Sequence, residues 1–361
     1  MINGFIMKHI LKFILPAFGV LLLSGCAKEA KTQANYANKL YFDAWIHVNH
    51  PQAVESGNGI YILNDVPGTG AAWNETRDGF AYIDFTVTDL DGQVTNTTHE
   101  RIAKKVGTYA KGNYYGPKIQ IVSDDSCPVG LADALVGMRI GGTRTVAIPS
   151  WLQTTTRYSK KEEYLDHSTG NNDAIYTITL RKAIPDGMTG GIANIYRWET
   201  DSLEAYVKKN FGPDVDSTAY TTDEGSLKYG FYFQSLTPDP DSTVLNSGSA
   251  YSLNYTGRLL NGQVFDTTIA DTAKVHGIYD PTRTYEPVQI NWADKATDIT
   301  MGESETAVKD GFKIAVFKMH LNEKARTAFY SVLGYGYSGT GDQIPGFSPL
   351  VFELELMKEA D

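Results

Sequence analysis

Apolar positions at Tyr36, Leu40, Ala44 and Val48 recur with helical spacing and stop short of Pro51, which predicts a helix over this stretch. Gly59-Ile60-Tyr61-Ile62-Leu63 predicts a strand, closed by the turn Pro67-Gly68-Thr69-Gly70. Further along, Leu203, Tyr206, Val207 and Phe211 form a second helical stripe. Asp201 and Glu204 have capping-box spacing at its start, and Gly212-Pro213 stop it. A strand at 228–233 and a turn-rich segment at 237–241 follow. Near the C-terminus Leu350, Phe352, Leu354 and Leu356 alternate with Val351, Glu353 and Glu355, the mark of an antiparallel strand with one buried face. Val308, Phe312, Ala315, Val316 and Met319 share one face of a helix. Together these patterns predict an α+β fold in which a short helix crosses a curved antiparallel sheet.

The order helix, strand, turn, β-domain occurs twice. Asp91-Gly92 and Asn261-Gly262 mark equivalent turns 170 residues apart, a period that indicates two tandem copies and not a solenoid. A chain of 361 residues has room for two such domains, each with its own core. The 22 Tyr and 34 Gly fit short strands and many turns.

Lys8 and Lys12 lead into an apolar run, 13–23, too short to span a bilayer comfortably, which ends in Leu23-Ser24-Gly25-Cys26. This resembles a bacterial lipobox, with Cys26 acylated and 1–25 removed as a signal peptide; an ordinary secretory signal or a short membrane anchor are the alternatives. Loss of 1–25 takes away two lysines and no acids, so the net charge goes from −10 to −12. So acidic a chain repels phosphate backbones and anionic headgroups, which argues against nucleic-acid partners and leaves membrane attachment to a lipid. With Cys26 lipidated, Cys127 stands alone among apolar neighbours, as a buried thiol more than a reactive one.

Two motifs in the second copy carry a family resemblance. Asn254-Tyr255-Thr256-Gly257 followed by Phe265-Asp266, and Tyr335-Gly336 followed by Ile344-Pro345 and Val351-Phe352, resemble the FKBP class of peptidyl-prolyl cis-trans isomerase over 249–358. The resemblance implies a tandem FKBP-like fold. It also implies a site with Tyr255, Phe265, Asp266 and Tyr335 as catalytic groups and Val308, Lys309, Phe312, Ile344 and Phe352 as the substrate-binding wall. In it Tyr335 would donate its hydroxyl to a substrate carbonyl, and Tyr255 would orient Asp266. No cofactor and no metal are implied, and the partner would be a proline-containing polypeptide. Departures from the family pattern are Lys309 for an apolar residue, Phe312 for tryptophan, Gly346 after Pro345, and an insertion at 267–289 that could gate the site or block it. The Lys309 side chain is expected to snorkel outward.

The first copy keeps the scaffold sequence from Gly137 to Pro149 but has Phe85, Thr95-Asn96 and Leu131 where the second has Tyr255, Phe265-Asp266 and Phe312. A polar insertion at 151–172 replaces its hairpin. The expected organisation is a signal peptide (1–25), tether and helix (26–58), degenerate FKBP-like domain (59–185), linker with helix and strand (186–245) and isomerase domain (246–361), with an extra helix before each domain. The expected protein is a lipid-anchored isomerase assisting folding in a bacterial cell envelope, at its outer membrane; the alternative is a non-catalytic surface lipoprotein whose modules bind protein or peptide. The G-x-G-x-x-G match at 334–339 precedes a strand and not a helix, so it is no dinucleotide site. Asp214, Asp216, Asp239 and Asp241 lack calcium-loop spacing.

Overall fold

The computed structural model describes residues 34–358 except 75–78, 168, 186–190, 222–227, 239, 241–242 and 303–305. Cys26 and the predicted signal peptide lie outside the described residues. The first half comprises α1 (Tyr36–Asn49), β1 (Val54–Ser56), β2 (Ile60–Val66), β3 (Gly79–Thr88), β4 (Val94–Thr97), α2 (Glu100–Val106), β5 (Lys118–Ile121), α3 (Val129–Leu135), β6 (Thr143–Ile148) and β7 (Ala174–Pro185). Helix α4 (Gly191–Asn210) leads into the second half: β8 (Asp216–Thr221), β9 (Lys228–Ser235), β10 (Ala250–Leu259), β11 (Val264–Thr267), α5 (Ala270–Val275), β12 (Val288–Asn291), β13 (Thr300–Met301), β14 (Thr306–Ala307), α6 (Asp310–Phe317), β15 (Lys324–Phe329) and β16 (Leu350–Lys358).

The two sheets are antiparallel and run in the same order. The first reads β1-β2-β6-β7-β3 and the second β8-β9-β15-β16-β10, with β4 and β5, or β11 and β12, on the far side. Side-chain contacts repeat at the 170-residue offset. Thr86 bonds Thr97 at 2.9 Å, as Thr256 bonds Thr267. Tyr109 stacks on Tyr115 beneath Lys104, and Tyr279 stacks on Tyr285 beneath Lys274. The hydroxyl of Tyr115 accepts the Ala110 amide at 3.0 Å, and that of Tyr285 accepts the Asp280 amide at 3.0 Å. The insertion read at 267–289 therefore contains a braced loop that both halves share.

Several expectations need correction. Helix α1 forms where predicted but buries the other face: Phe42 and Ile46 enter the core, while Tyr36, Leu40 and Val48 stay exposed. Phe42 sets this choice by packing edge-on against Tyr61 and Trp151. The 151–172 insertion is not simply polar, since Trp151, Leu152, Tyr164 and Leu165 fill that same core. The segment expected as linker supplies β8 and β9 to the second sheet, β9 pairing with β15 from Phe231↔Phe329 to Ser235↔Ala325. Asp201 does not cap a helix: α4 begins ten residues earlier, and Glu204 instead pairs with Lys208 one turn on. Helix α4 also lies over the outer face of the second sheet, where Leu203 and Val207 bury Val351, Ala328 and Tyr330.

Candidate functional site

In the second half α6 crosses the concave face of the sheet, its apolar side formed by Phe312, Ala315 and Val316. The space between helix and sheet is a cavity of about 180 Å³ lined by Tyr255, Phe265, Asp266, Met301, Val308, Lys309, Phe312, Tyr335, Leu350 and Phe352. Its rings meet edge to face: Phe312 lies 5.7 Å from Tyr255 and 5.2 Å from Phe352, and Phe265 lies 5.7 Å from Phe352. Such geometry sets the positive edge of one ring against the negative face of the next and fixes all of them. Gly257 makes it possible, because a Cβ there would come within 2.5 Å of the Phe265 ring and 2.8 Å of Phe352.

One wall is polar. The Tyr255 hydroxyl donates to Asp266 Oδ2 at 2.6 Å, and the Thr267 amide donates to Asp266 Oδ1 at 2.9 Å. Arg283, held in the braced loop, forms an ion pair with the same carboxylate. Burial first, and then the Asp266 charge, push the Tyr255 hydroxyl well above its ordinary range, so it remains a donor. The same two causes raise Tyr335. The Lys309 ammonium does not point away as expected: it sits 4.7 Å above the centre of the Tyr335 ring, at the exposed rim.

Of the residues singled out from sequence, the structure brings Tyr255, Phe265, Asp266, Tyr335, Val308, Lys309, Phe312 and Phe352 to one cavity. Ile344 is buried in the surrounding core but does not line it. Its carbonyl instead accepts the Thr340 amide at 2.8 Å, closing the hairpin. Sequence reasoning missed Met301 and Leu350. Leu350 was visible only as one of the alternating strand residues, and Met301 lies on a two-residue strand that carries no pattern. Arg283 was also missed, since nothing in a 17-residue separation from Asp266 links the two. Gly346 is explained by close approach, a Cβ there falling 1.9 Å from the Tyr337 carbonyl oxygen. Among the described residues no group of three or more His, Cys, Asp or Glu could hold a metal ion.

A hollow of fixed aromatic edges, with two phenols and a carboxylate paired to Arg283 at its side, suits non-covalent binding of a small apolar ring flanked by amides. A profile of the FKBP-type peptidyl-prolyl cis-trans isomerases matches residues 242–357. FK506-binding protein 2 of Dictyostelium discoideum is 30% identical over 120 residues, 33% of this chain and 72% of that protein. FK506-binding protein 1 of Saccharomyces cerevisiae is 29% identical over 135 residues, 37% of this chain and 94% of that protein. Among solved structures, a peptidyl-prolyl cis-trans isomerase from Pseudomonas syringae aligns with a TM-score of 0.30 at 23% identity, over 48% of this chain and 96% of that one. FkpA from Escherichia coli aligns with a TM-score of 0.29 at 19% identity, over 47% of this chain and 64% of that one. The chain belongs to the FKBP-type peptidyl-prolyl cis-trans isomerase family.

Proposed function

We propose that the second half isomerises Xaa-Pro bonds in polypeptide clients, and that the first half is an FKBP-like copy without activity. The observation that carries the reading is the convergence of Tyr255, Phe265, Asp266, Phe312, Tyr335 and Phe352 on one cavity. Rotation about the peptide bond meets a barrier of about 18–20 kcal/mol because the nitrogen lone pair is delocalised into the carbonyl. Twisting the bond localises that lone pair and makes the amide less polar. An apolar slot around the proline ring then favours the twisted form over the planar one, and the Tyr335 hydroxyl holds a flanking carbonyl as the bond turns. Asp266, tied by Tyr255, Thr267 and Arg283, supplies a fixed dipole that does not have to reorganise during rotation.

The first half has Phe85, Thr95, Asn96 and Leu131 where the second has Tyr255, Phe265, Asp266 and Phe312, and Thr95 and Asn96 line a polar pocket with Thr97, Asn113 and Asp342 from the second half. Polar groups there would hydrate and stabilise the planar amide. In a protease-coupled assay on Xaa-Pro peptides, Phe265→Ala or Asp266→Ala in the full chain should remove turnover; turnover persisting in both would move the chemistry elsewhere, the first half included.

Cys26 as an acylated residue, anchoring the protein in a bacterial outer membrane, belongs to the same reading and is supported by the sequence 8–26 alone. No helix among the described residues is long and apolar enough to cross a membrane. Cys26→Ala should release the protein into the soluble fraction, and an unchanged membrane fraction would refute the anchor.

A further inference from the structure

Helix α4 lies outside the family-matched segment, yet it carries a carboxylate that reaches into the catalytic half. Glu199 is 1% exposed. One of its oxygens accepts the Ser331 amide, and the other accepts the Ser331 hydroxyl at 2.8 Å. Ser331 is itself fully buried and opens the 3-10 turn Ser331–Leu333. Its carbonyl accepts the amides of Gly334 at 2.8 Å and Gly336 at 2.7 Å, the two chain neighbours of Tyr335. A continuous set of hydrogen bonds therefore runs from α4 to the backbone on either side of the phenol.

The first half uses the same device with a different carboxylate. Ser150 opens a 3-10 turn after β6, as Ser331 does after β15, and its amide donates to Asp173 Oδ1 at 2.7 Å. Asp173 is the residue immediately before β7. The residue immediately before β16 is Pro349, which has no carboxylate to offer. In the second half the missing acceptor comes from α4 instead.

We propose that Glu199 is a positioning residue of the isomerase site: by holding Ser331 it sets the turn that aims Tyr335 at the substrate. The proposal rests on the isomerase reading above. It also makes that aim depend on how α4 is seated. Ile195 of α4 packs with Phe80 and Ile184 of the first half and Phe347 of the second, while Leu203 and Val207 pack on the second sheet. Without the carboxylate, the Ser331 amide and hydroxyl are left buried and unbonded, and the turn moves to find other partners. Tyr335 moves with it, and small displacements of a positioned group are expensive in rate.

The test is a double-mutant cycle in the full-length protein, read as kcat/KM on an Xaa-Pro peptide, with unfolding midpoints to confirm the fold. Glu199→Ala should lower kcat/KM about tenfold. In a Tyr335→Phe background the same substitution should change it less than about twofold, because the group being aimed is already gone. Glu199→Gln keeps an acceptor oxygen for the Ser331 amide and should retain most of the turnover. An equal loss in both backgrounds, or no rescue by glutamine, would overturn the proposal. Amide hydrogen exchange at Gly334 and Gly336 separates this idea from the isomerase reading. If the wild-type chain shows no turnover, that reading fails, while faster exchange in Glu199→Ala still establishes the clamp and unchanged exchange removes it.

Discussion

Glu199→Gln should flatten the dependence of stability on pH. Burial raises the Glu199 carboxyl from 4.5 to about 7, against the opposing pull of its bonds from Ser331. Glu199 lines a second cavity, between the two halves, whose other titratable groups are the hydroxyls of Tyr82, Tyr114 and Tyr206; burial pushes each of these above its ordinary value, so they stay neutral. The folded state therefore holds the Glu199 proton more tightly than the unfolded chain. Its stabilising contribution is complete below about pH 4.5 and is lost as pH rises through about 7. At 1.36 kcal/mol per pH unit, the gap corresponds to about 3 kcal/mol. Urea denaturation of wild type and Glu199→Gln, followed by tryptophan emission from pH 5 to pH 8, measures this directly. Groups such as Asp173 titrate in both proteins and cancel in the difference. That difference should move by about 2.5 kcal/mol in favour of glutamine on going from pH 5 to pH 8, since pH 5 already lies above the unfolded value. A constant difference, or one moving toward glutamate, would refute the reasoning.

Three further outcomes are expected. Phe347 has φ 58° and its ring packs edge-on to Phe80 at 5.4 Å, so Phe347→Ala should cost about 3 kcal/mol or more through the lost ring. Phe347→Gly should be less damaging by about 1 kcal/mol, because only the alanine must hold the left-handed backbone; denaturant midpoints in the reverse order would contradict this. Lys309→Leu should reduce the preference for peptides with Glu before proline over those with Leu by up to about fivefold, an effect that fades with salt, as read from paired kcat/KM values. Cys127 is fully buried and its thiol is pushed up to about 12 by burial. It should resist iodoacetamide in the native protein at pH 8 and react on unfolding, and rapid native labelling would be inconsistent with its place in the core.

Much of the site was legible because its residues sit in short motifs whose spacing is local: Tyr255, Phe265 and Asp266 fall within one hairpin, and Phe352 follows Tyr335 across another. What escaped notice depends on distant partners. Glu199 reads as an ordinary helical acid until Ser331, 132 residues on, is brought beside it. The buried face of α1 was misjudged because four-residue spacing fits both Tyr36–Leu40 and Phe42–Ile46, and only the Trp151 ring decides between them. Val351 looked solvent-facing in an alternating strand because alternation cannot reveal a helix lying over the second face. The braced loop was read only as an insertion relative to the family pattern, although Lys104, Tyr109 and Tyr115 already stood at the 170-residue offset from Lys274, Tyr279 and Tyr285. Contact geometry was needed to show that these six residues do the same work.

That brace has a thermodynamic meaning for the second half. Lys274 over Tyr279, stacked on Tyr285 with its hydroxyl tied to the Asp280 amide, fixes in advance the segment that delivers Arg283 to Asp266. A pocket mouth that is already stiff forfeits little freedom when a chain threads into it, so association should carry a small ordering penalty and draw its favourable free energy from the rings it covers. Calorimetry would register this as a negative heat-capacity change without the large unfavourable entropy of a loop that must first settle.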